Sequence, residues 1–548
     1  METVDVTVIG AGWSGLAALK TYQQVDPSAS IVLFESAASV GGVWAKHRLY
    51  AGLKSNNMLG TYEFSDFPMD ASFGVQPGQH IPGTVIQTYM ERFVEHFQLA
   101  PFIRLNTRVR IAEHNSDGTW TLTIDDANGE RTVVSKKLIV CTGITSQPYL
   151  PTLSGQDTFD APLFHCRDLP QHQDALLQPN KRITVFGGTK SAWDAVYAAA
   201  TAGAHVDWII RDNGHGPVWM APAYVTPLKK WLEKLVTTRL LTWFSPCIWG
   251  DADGCSPIRN FLHGTWLGRK IVDTFWAILG NDLKPWVSPF WVASGLSILN
   301  YPTNFFDLVT EGKVRIHIDH ITHLTAQTVH LASAGPIPSD TLICATGWQA
   351  TPNIDFRPSH LPQTLGFPWA EDPIPQSVIQ QADAEILTRF PRLAIPPPKP
   401  HNYTPLAPDA PATAKHPFRL ARFMVPPALA PARSIAFMGL AMTINTTMLA
   451  QAQASGSRPT SPTTSPQPRG NNAPPFGVHR YRGGFGKRNP DFVFDAVPYV
   501  DLLLRDLGLD YTRKEGGLKW LVPYGVEDYR GLVEEWVGAR DAVGKKDN

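Results

Sequence analysis

Two short segments of this 548-residue chain set glycine among neighbours in a pattern suited to gripping a phosphate. In the first, a β-rich run from Asp5 to Ile9 leads into Gly10-Ala11-Gly12-Trp13-Ser14-Gly15, followed by a helical pattern from Leu16 to Gln24 and a second strand pattern from Ile31 to Phe34. In that context each glycine has its own role. Gly10 permits the tight turn, Gly12 lets the backbone approach a pyrophosphate, and Gly15 lets helix and strand pack closely. The helix N-terminus then aims N–H donors and the positive end of its dipole at the phosphates. Glu35 closes the second strand 20 residues beyond Gly15, where a carboxylate accepts hydrogen bonds from ribose hydroxyls and repels a 2′-phosphate. Gly41-Gly42-Val43-Trp44 follows at once. A second stretch of bare backbone so close to the first implies a cofactor longer than a nicotinamide dinucleotide, and FAD is the natural candidate.

The second segment repeats the spacing. Arg182 to Phe186 reads as a strand, Gly187-Gly188-Thr189-Lys190-Ser191-Ala192-Trp193-Asp194 as the turn and helix start, and Val206 to Ile210 as the next strand, ending in Arg211. Thr189 and Ala192 stand where the second and third glycines would be. Arg211 occupies the place that Glu35 holds in the first unit, and a guanidinium there grips a 2′-phosphate as a planar fork, favouring NADPH over NADH. Lys190 is placed either to assist or to face solvent. The expected dinucleotide contacts are Gly187, Thr189, Ser191, Ala192, Asp194 and Arg211.

These motifs need a scaffold of parallel strands and covering helices. The expected fold is α/β, with two nested dinucleotide-binding (Rossmann-like, three-layer) domains: an FAD domain from 1–175 and 330–454, and an NADPH domain from 176–329. Apolar residues make up 43% of the chain, and 48 basic side chains balance 48 acidic ones, so the electrostatic footprint of a nucleic-acid binder is absent. The five scattered cysteines contain no CxxC pair, which argues against a zinc site and against a dithiol reductase passing electrons to a disulfide. Met1 runs directly into a strand pattern, and no apolar stretch reaches the ~18 residues of a membrane span, so a cytoplasmic location is the default expectation. The nearest approach, Ile435 to Ala454, is interrupted by polar residues and reads as a helix packed on protein or cofactor.

Further segments resemble the flavin-containing monooxygenases. Ser55-Asn56 followed by Phe64-Ser65-Asp66-Phe67-Pro68 is similar to that family's SN or TN and F-S-D-F-P segments, and Cys141-Thr142-Gly143 and Ala345-Thr346-Gly347-Trp348 resemble its two crossings between FAD and NADPH domains. Phe159 to His165 looks like the fingerprint FxGxxxH, with Ala161 for its glycine and Leu169 for its closing aromatic; this departs from the stricter Baeyer–Villiger subgroup. The resemblance implies that reduced flavin reacts with O₂ to a C4a-hydroperoxide and that the protein positions the reactants and excludes water. It also implies that Asn56 is the catalytic residue, its amide bonding flavin, nicotinamide or peroxide. Gly10, Gly12, Trp13, Ser14, Gly15, Glu35, Gly42, Val43, Trp44, Ser55, Asn56, Val109, Gly143 and Gly347 complete the expected cofactor-binding set.

Residues 216–302 are rich in aromatics, including Trp219, Trp231, Trp243, Trp249, Trp266, Trp276, Trp286 and Trp291. They read as a substrate cap, as a helical subdomain with an aromatic core, or, given Lys229, Lys230 and Lys234, as a face resting on a membrane surface. The stretch from Ser455 to Phe476 is dense in Ser, Pro, Thr, Gly and Asn and reads as a disordered insertion spanning about 455–478, while 479–548, with Arg482-Gly483-Gly484-Phe485-Gly486-Lys487 and Pro490-Asp491-Phe492, reads as a tail packed on the outside. The function these readings converge on is an FAD- and NADPH-dependent monooxygenase that inserts one atom of O₂ into a lipophilic small molecule of secondary metabolism. The alternatives are a flavin oxidase or reductase and a weakly catalytic flavoprotein with a binding or sensing role.

Overall fold

Val4, Val6, Val8 and Ile9 are all buried along the strand Glu2–Ile9, because helices and further strands cover it on both faces; parallel strands so covered need near-continuous apolar runs. This strand pairs in parallel with Ile31–Phe34 on one side and Gly129–Val140 on the other, Val8 lying opposite Leu33 and Ile139. In the computed structural model, which describes residues 2–214, 216–218, 220–281, 297–395, 403–456 and 488–544, the sheet around it has eight strands among the described residues. Ile103–Arg104 extends one edge. Trp120–Asp126 and Arg108–His114 extend the other as antiparallel strands, followed by Asp355–Arg357, while Ile435–Phe437 joins the end of Gly129–Val140. The helix Trp13–Val25 packs its buried face, including Leu16, Leu19 and Tyr22, on this sheet.

A second sheet is parallel throughout, in the order Val314–Ile318, His205–Ile210, Arg182–Phe186, Thr341–Cys344, Leu163–His165. The helix Lys190–Thr201 covers it, burying Ala192, Val196 and Ala199 against Val185 and Val206. The α/β class and the two nested sheets match the sequence reading. The crossings between them fall elsewhere than 175 and 330, because Leu163–His165 and Thr341–Cys344 both pair within the second sheet.

Two further expectations are corrected, and one of the readings of the aromatic insertion is met. Ile435 to Ala454 is no single helix: Ile435–Phe437 is a sheet strand, a turn follows, and the helix spans Thr446–Gly456. The tail is not peripheral, since Phe492, Tyr499, Leu503 and Trp536 form a core with Met448 and Leu449 of that helix. The aromatic insertion is a folded helical unit: Trp276 is 2% exposed and donates to the Phe244 carbonyl at 2.9 Å, while Trp243 and Trp249 pack against Trp520 and Phe492 of the tail. Of the lysines read as a membrane face, Lys234 pairs with Glu527 of the tail and lies over Trp231. Trp266, Leu267, Ile271 and Ile278 are exposed on the helix Trp266–Asn281. Trp219, Trp286, Trp291, most of the low-complexity stretch and Arg482 to Lys487 lie outside the described residues. Among the described residues no helix is long and apolar enough to cross a membrane, and no cluster of three metal-ligating side chains occurs.

Insertion and tail are joined by a buried ion pair. Arg239 donates to both oxygens of Asp501, at 2.5 and 2.9 Å, to the Tyr524 hydroxyl at 2.9 Å and to the Tyr511 carbonyl at 3.1 Å. Both charged side chains are 2% exposed, so removing one strands the other in the interior. Arg239→Ala is therefore expected to cost about 3–5 kcal/mol, read as a large fall in thermal unfolding temperature; a change of a degree or less would show that the pair does not hold the tail in place.

Candidate functional site

The first glycine turn is shaped by lack of room. Gly10 has φ +102°, and a Cβ on Gly15 would lie 1.8 Å from the Gly10 carbonyl oxygen, so the helix can start against the strand end only if residue 15 has no side chain. Gly12 is the N-cap and supplies no side-chain cap, which leaves the first-turn N–H groups, those of Trp13 and Ser14 among them, to a ligand. Gly42, at φ +59°, lies backbone to backbone with Gly12: a Cβ on it would come 3.0 Å from the Gly12 Cα. The two glycine stretches thus line one narrow groove, as an extended dinucleotide requires.

Glu35 sits beneath the turn, 9% exposed, accepting hydrogen bonds from the N–H groups of Ala11 and Ala37, each at 2.8 Å. Thr107, whose N–H bonds the Glu35 carbonyl at 2.9 Å, leads into the strand Arg108–His114, in which Val109 is buried. The Trp13 ring packs edge-on against Tyr62 and Phe64, and Trp44 donates to the Tyr62 hydroxyl at 3.1 Å, so both indoles also serve the core. Val43 between them is exposed.

The second turn repeats the geometry with different residues. Gly187 has φ +126°, and a Cβ there would meet the Ala345 carbonyl oxygen at 2.2 Å, while one on Gly188 would lie 2.9 Å from the Pro217 Cα. Thr189 is the N-cap of the following helix, Ser191 is half-buried in its first turn, and Ala192 is fully buried where a third glycine would stand. Arg211 follows the strand His205–Ile210 as expected; its guanidinium folds toward Gly214 and makes no ion pair with a described residue. Asp194 and Lys190 are bonded within the protein. They pair with each other, Asp194 also accepts from the Tyr301 hydroxyl at 2.9 Å, and Lys190 donates to Asn300 at 3.1 Å, so both are part of the protein's interior wiring.

That wiring leads to Asn56. The strand Lys54–Met58 pairs with His80–Pro82 only at its two ends, Lys54 with Pro82 and Met58 with His80, leaving the backbone between them to find other partners. Asn300 donates to the carbonyls of Lys54 and Ser55, at 3.0 and 3.1 Å. Glu233, from the insertion, accepts the Met58 N–H at 3.0 Å, the Thr61 hydroxyl at 2.5 Å, the Trp231 indole at 2.8 Å and the Asn57 amide. Asn56 itself is half-buried and accepts from the Ser297 hydroxyl at 3.1 Å. The Ser55 hydroxyl donates to the carbonyl of Asn57 and accepts from the N–H of Ile81 on the paired strand. The F-S-D-F-P segment is likewise structural, with Asp66 paired to Lys20 and Ser65 bonded to Gln451.

Gly143 and Gly347 mark the two crossings, at φ +67° and +89°, each with open space where a Cβ would be. Between them His165 stands edge-on to Trp348, and burial drives its pKa down to about 4, so it is a neutral, structural imidazole. Sequence reasoning missed Arg48, which lies over Trp348 and donates to the Thr145 carbonyl at 3.3 Å; burial, with Arg167 nearby, lowers its pKa to about 10. It also missed Glu233 and Asn300. No local motif marks either, since their role exists only once the insertion docks on the Asn56 strand.

Two bare-backbone turns, each between the end of a parallel strand and a helix N-terminus, are the arrangement of a protein built for two dinucleotides. The family model for flavin-binding monooxygenase-like proteins matches residues 3–243. The chain is 33% identical to the FAD-dependent monooxygenase resA of Aspergillus sclerotiorum, over 98% of this chain and 99% of the relative, and 33% identical to the FAD-dependent monooxygenase rstn6 of Aspergillus nomiae, over 98% of each. Among solved structures, Tmm from Pelagibacter sp. strain HTCC7211 shares the fold, with a TM-score of 0.52 at 17% identity over 98% of this chain and 90% of that one. The chain belongs to the flavin-binding monooxygenase family, and FAD is its flavin.

The groove supports a direct check. A methyl placed on the Gly12 backbone meets nothing closer than the Gly42 Cα at 3.6 Å, whereas one at Gly15 collides. Gly12→Ala should therefore keep the fold, seen as unchanged circular dichroism, yet lose FAD affinity by at least about tenfold, because the methyl stands where the pyrophosphate approaches. Full flavin content in purified Gly12→Ala would place the pyrophosphate elsewhere.

Proposed function

We propose that this protein consumes NADPH and O₂ to place one oxygen atom in a lipophilic small molecule, the other leaving as water, so that NADPH, H⁺, O₂ and substrate give NADP⁺, H₂O and oxygenated product. FAD, when bound, accepts the hydride and activates the oxygen. The observation that carries this reading is the placement of Asn56 on a strand gripped from both sides by the NADPH-side unit. An amide so fixed offers a donor and an acceptor to flavin, nicotinamide or activated oxygen without reorganising.

The chain's own residues supply the rest. Gly10, Gly12, Gly15 and Gly42 admit the FAD pyrophosphate, with Glu35 and Val109 at the adenosine end. Gly187, Thr189, Ser191 and Ala192 form the nicotinamide dinucleotide's turn, and Arg211 holds its 2′-phosphate. Gly143 and Gly347 let the chain cross close to both cofactors. The insertion, whose interior is filled by Trp276, Leu262 and Leu279, presents its Ser297 edge to Asn56 and forms the apolar side of the substrate space. Its dry packing keeps water from the activated oxygen. The 33% identity to fungal FAD-dependent monooxygenases along the whole chain supports a place in secondary metabolism.

The Arg211 assignment is tested by steady-state kinetics of NADPH and NADH oxidation. A charge-assisted hydrogen bond to phosphate contributes about 1.5–3 kcal/mol, so Arg211→Ala should lower kcat/KM for NADPH by roughly 10- to 100-fold and leave NADH almost unchanged. An unchanged preference between the two nucleotides would remove Arg211 from the phosphate site.

A further inference from the structure

We infer that Glu233 is a positioning residue for Asn56, through which the docking of the insertion is transmitted to the flavin-side strand. The inference rests on the reading of Asn56 as the residue that faces the activated oxygen. Glu233 is 1% exposed and lies at the start of a short helix, Leu232–Leu235, in the insertion. Three of its four partners, Asn57, Met58 and Thr61, belong to the segment that carries Asn56 and flank it on the C-terminal side. The fourth, Trp231, is its own neighbour.

Three of the four are N–H donors, and the fourth, the Thr61 hydroxyl, shares its one proton between Glu233 and the Met58 carbonyl. Oε1 accepts from the Asn57 amide and the Thr61 hydroxyl, and Oε2 from the Met58 N–H and the Trp231 indole, which fills both lone-pair positions of each oxygen. Burial is the larger influence and raises the pKa of Glu233 against the hydrogen bonds that lower it; what points to an acceptor at both oxygens is the geometry, with the Asn57 amide on Oε1 and the Met58 N–H and Trp231 indole on Oε2. A glutamine would turn its NH₂ toward an N–H donor whichever way it faced. The Asn57 amide is further fixed by the carbonyl of Ile444, which leads toward the helix Thr446–Gly456. Where the ladder with His80–Pro82 shifts register between Lys54 and Met58, Glu233 on one side and Asn300 on the other supplement it. Side chains of the insertion thereby brace the strand that carries Asn56.

The test is made on the FAD-loaded protein, reduced with NADPH and mixed with oxygenated buffer, by timing the lag between oxygen consumption and the return of oxidised-flavin absorbance. Asn56→Ala should shorten that lag at least about tenfold, and Glu233→Gln should shorten it comparably with FAD content and the KM for NADPH unchanged. The double variant should be no worse than the more severe single one, because both act on one amide. Trp231→Phe, which removes a single donor and no charge, should shorten the lag about two- to threefold and serves if Glu233→Gln does not fold. If Asn56→Ala shortens the lag while Glu233→Gln keeps the wild-type value, the positioning role is refuted and the Asn56 reading stands. Multiplying effects in the double variant would equally refute it, as the sign of a general loosening. A wild-type lag in Asn56→Ala would overturn the Asn56 reading and the inference with it.

Discussion

A Cβ on Gly15 would sit 1.8 Å from the carbonyl of Gly10, and a Cβ on Gly187 would sit 2.2 Å from that of Ala345. This shortage of space at the end of a strand governs the molecule. A helix can aim its N-terminal dipole at a phosphate only if it starts within van der Waals contact of the strand that feeds it, and that contact leaves no room for side chains. Gly42 against Gly12 is the same constraint applied a third time. The strands that feed these approaches run parallel to their neighbours Ile31–Phe34, His205–Ile210 and Thr341–Cys344 and are covered on both faces, which calls for the apolar strands and buried helix faces that build the two cores.

The second theme is how one short strand is held. Lys54–Met58 is poorly laddered, and its partners are side chains from elsewhere: Asn300 at its start, Glu233 at its end, Ser297 on Asn56 itself. All three come from the NADPH-side unit or its insertion. Lys190 and Asp194 extend the connection back to the first turn of the second dinucleotide helix. The FAD side contributes the amide, and the other side contributes its orientation.

Much of this was legible in the sequence because it is local. A glycine turn between strand and helix carries its own reason, so both dinucleotide units, Glu35, Arg211 and the strand Arg182–Phe186 could be read from spacing alone. Side chains inside those motifs were harder. Trp13 and Trp44 lie within glycine stretches yet pack into the core, and Ser55 spends its hydroxyl on its own loop, since proximity in sequence does not say which way a side chain points. Lys190 beside a phosphate turn was open between ligand and solvent, and its pairing with Asp194 is a contact no local pattern marks. Glu233, 175 residues from Met58, sits among lysines that suggested a membrane-facing surface, and its burial depends on tertiary packing that no periodicity encodes. The tail was misplaced for the same reason: Asp501 and Arg239 look like surface charges until each is seen to bury the other.

The central claim is that this two-dinucleotide scaffold protects oxygen activated on its flavin long enough to use it. It is tested most directly by reducing the FAD-loaded protein with NADPH, mixing it with O₂ and following oxygen, flavin absorbance and peroxide together. Consumption of oxygen well before oxidised flavin and peroxide appear is the expected result. Oxidised flavin and stoichiometric H₂O₂ appearing in step with oxygen loss would contradict the account and describe an oxidase instead.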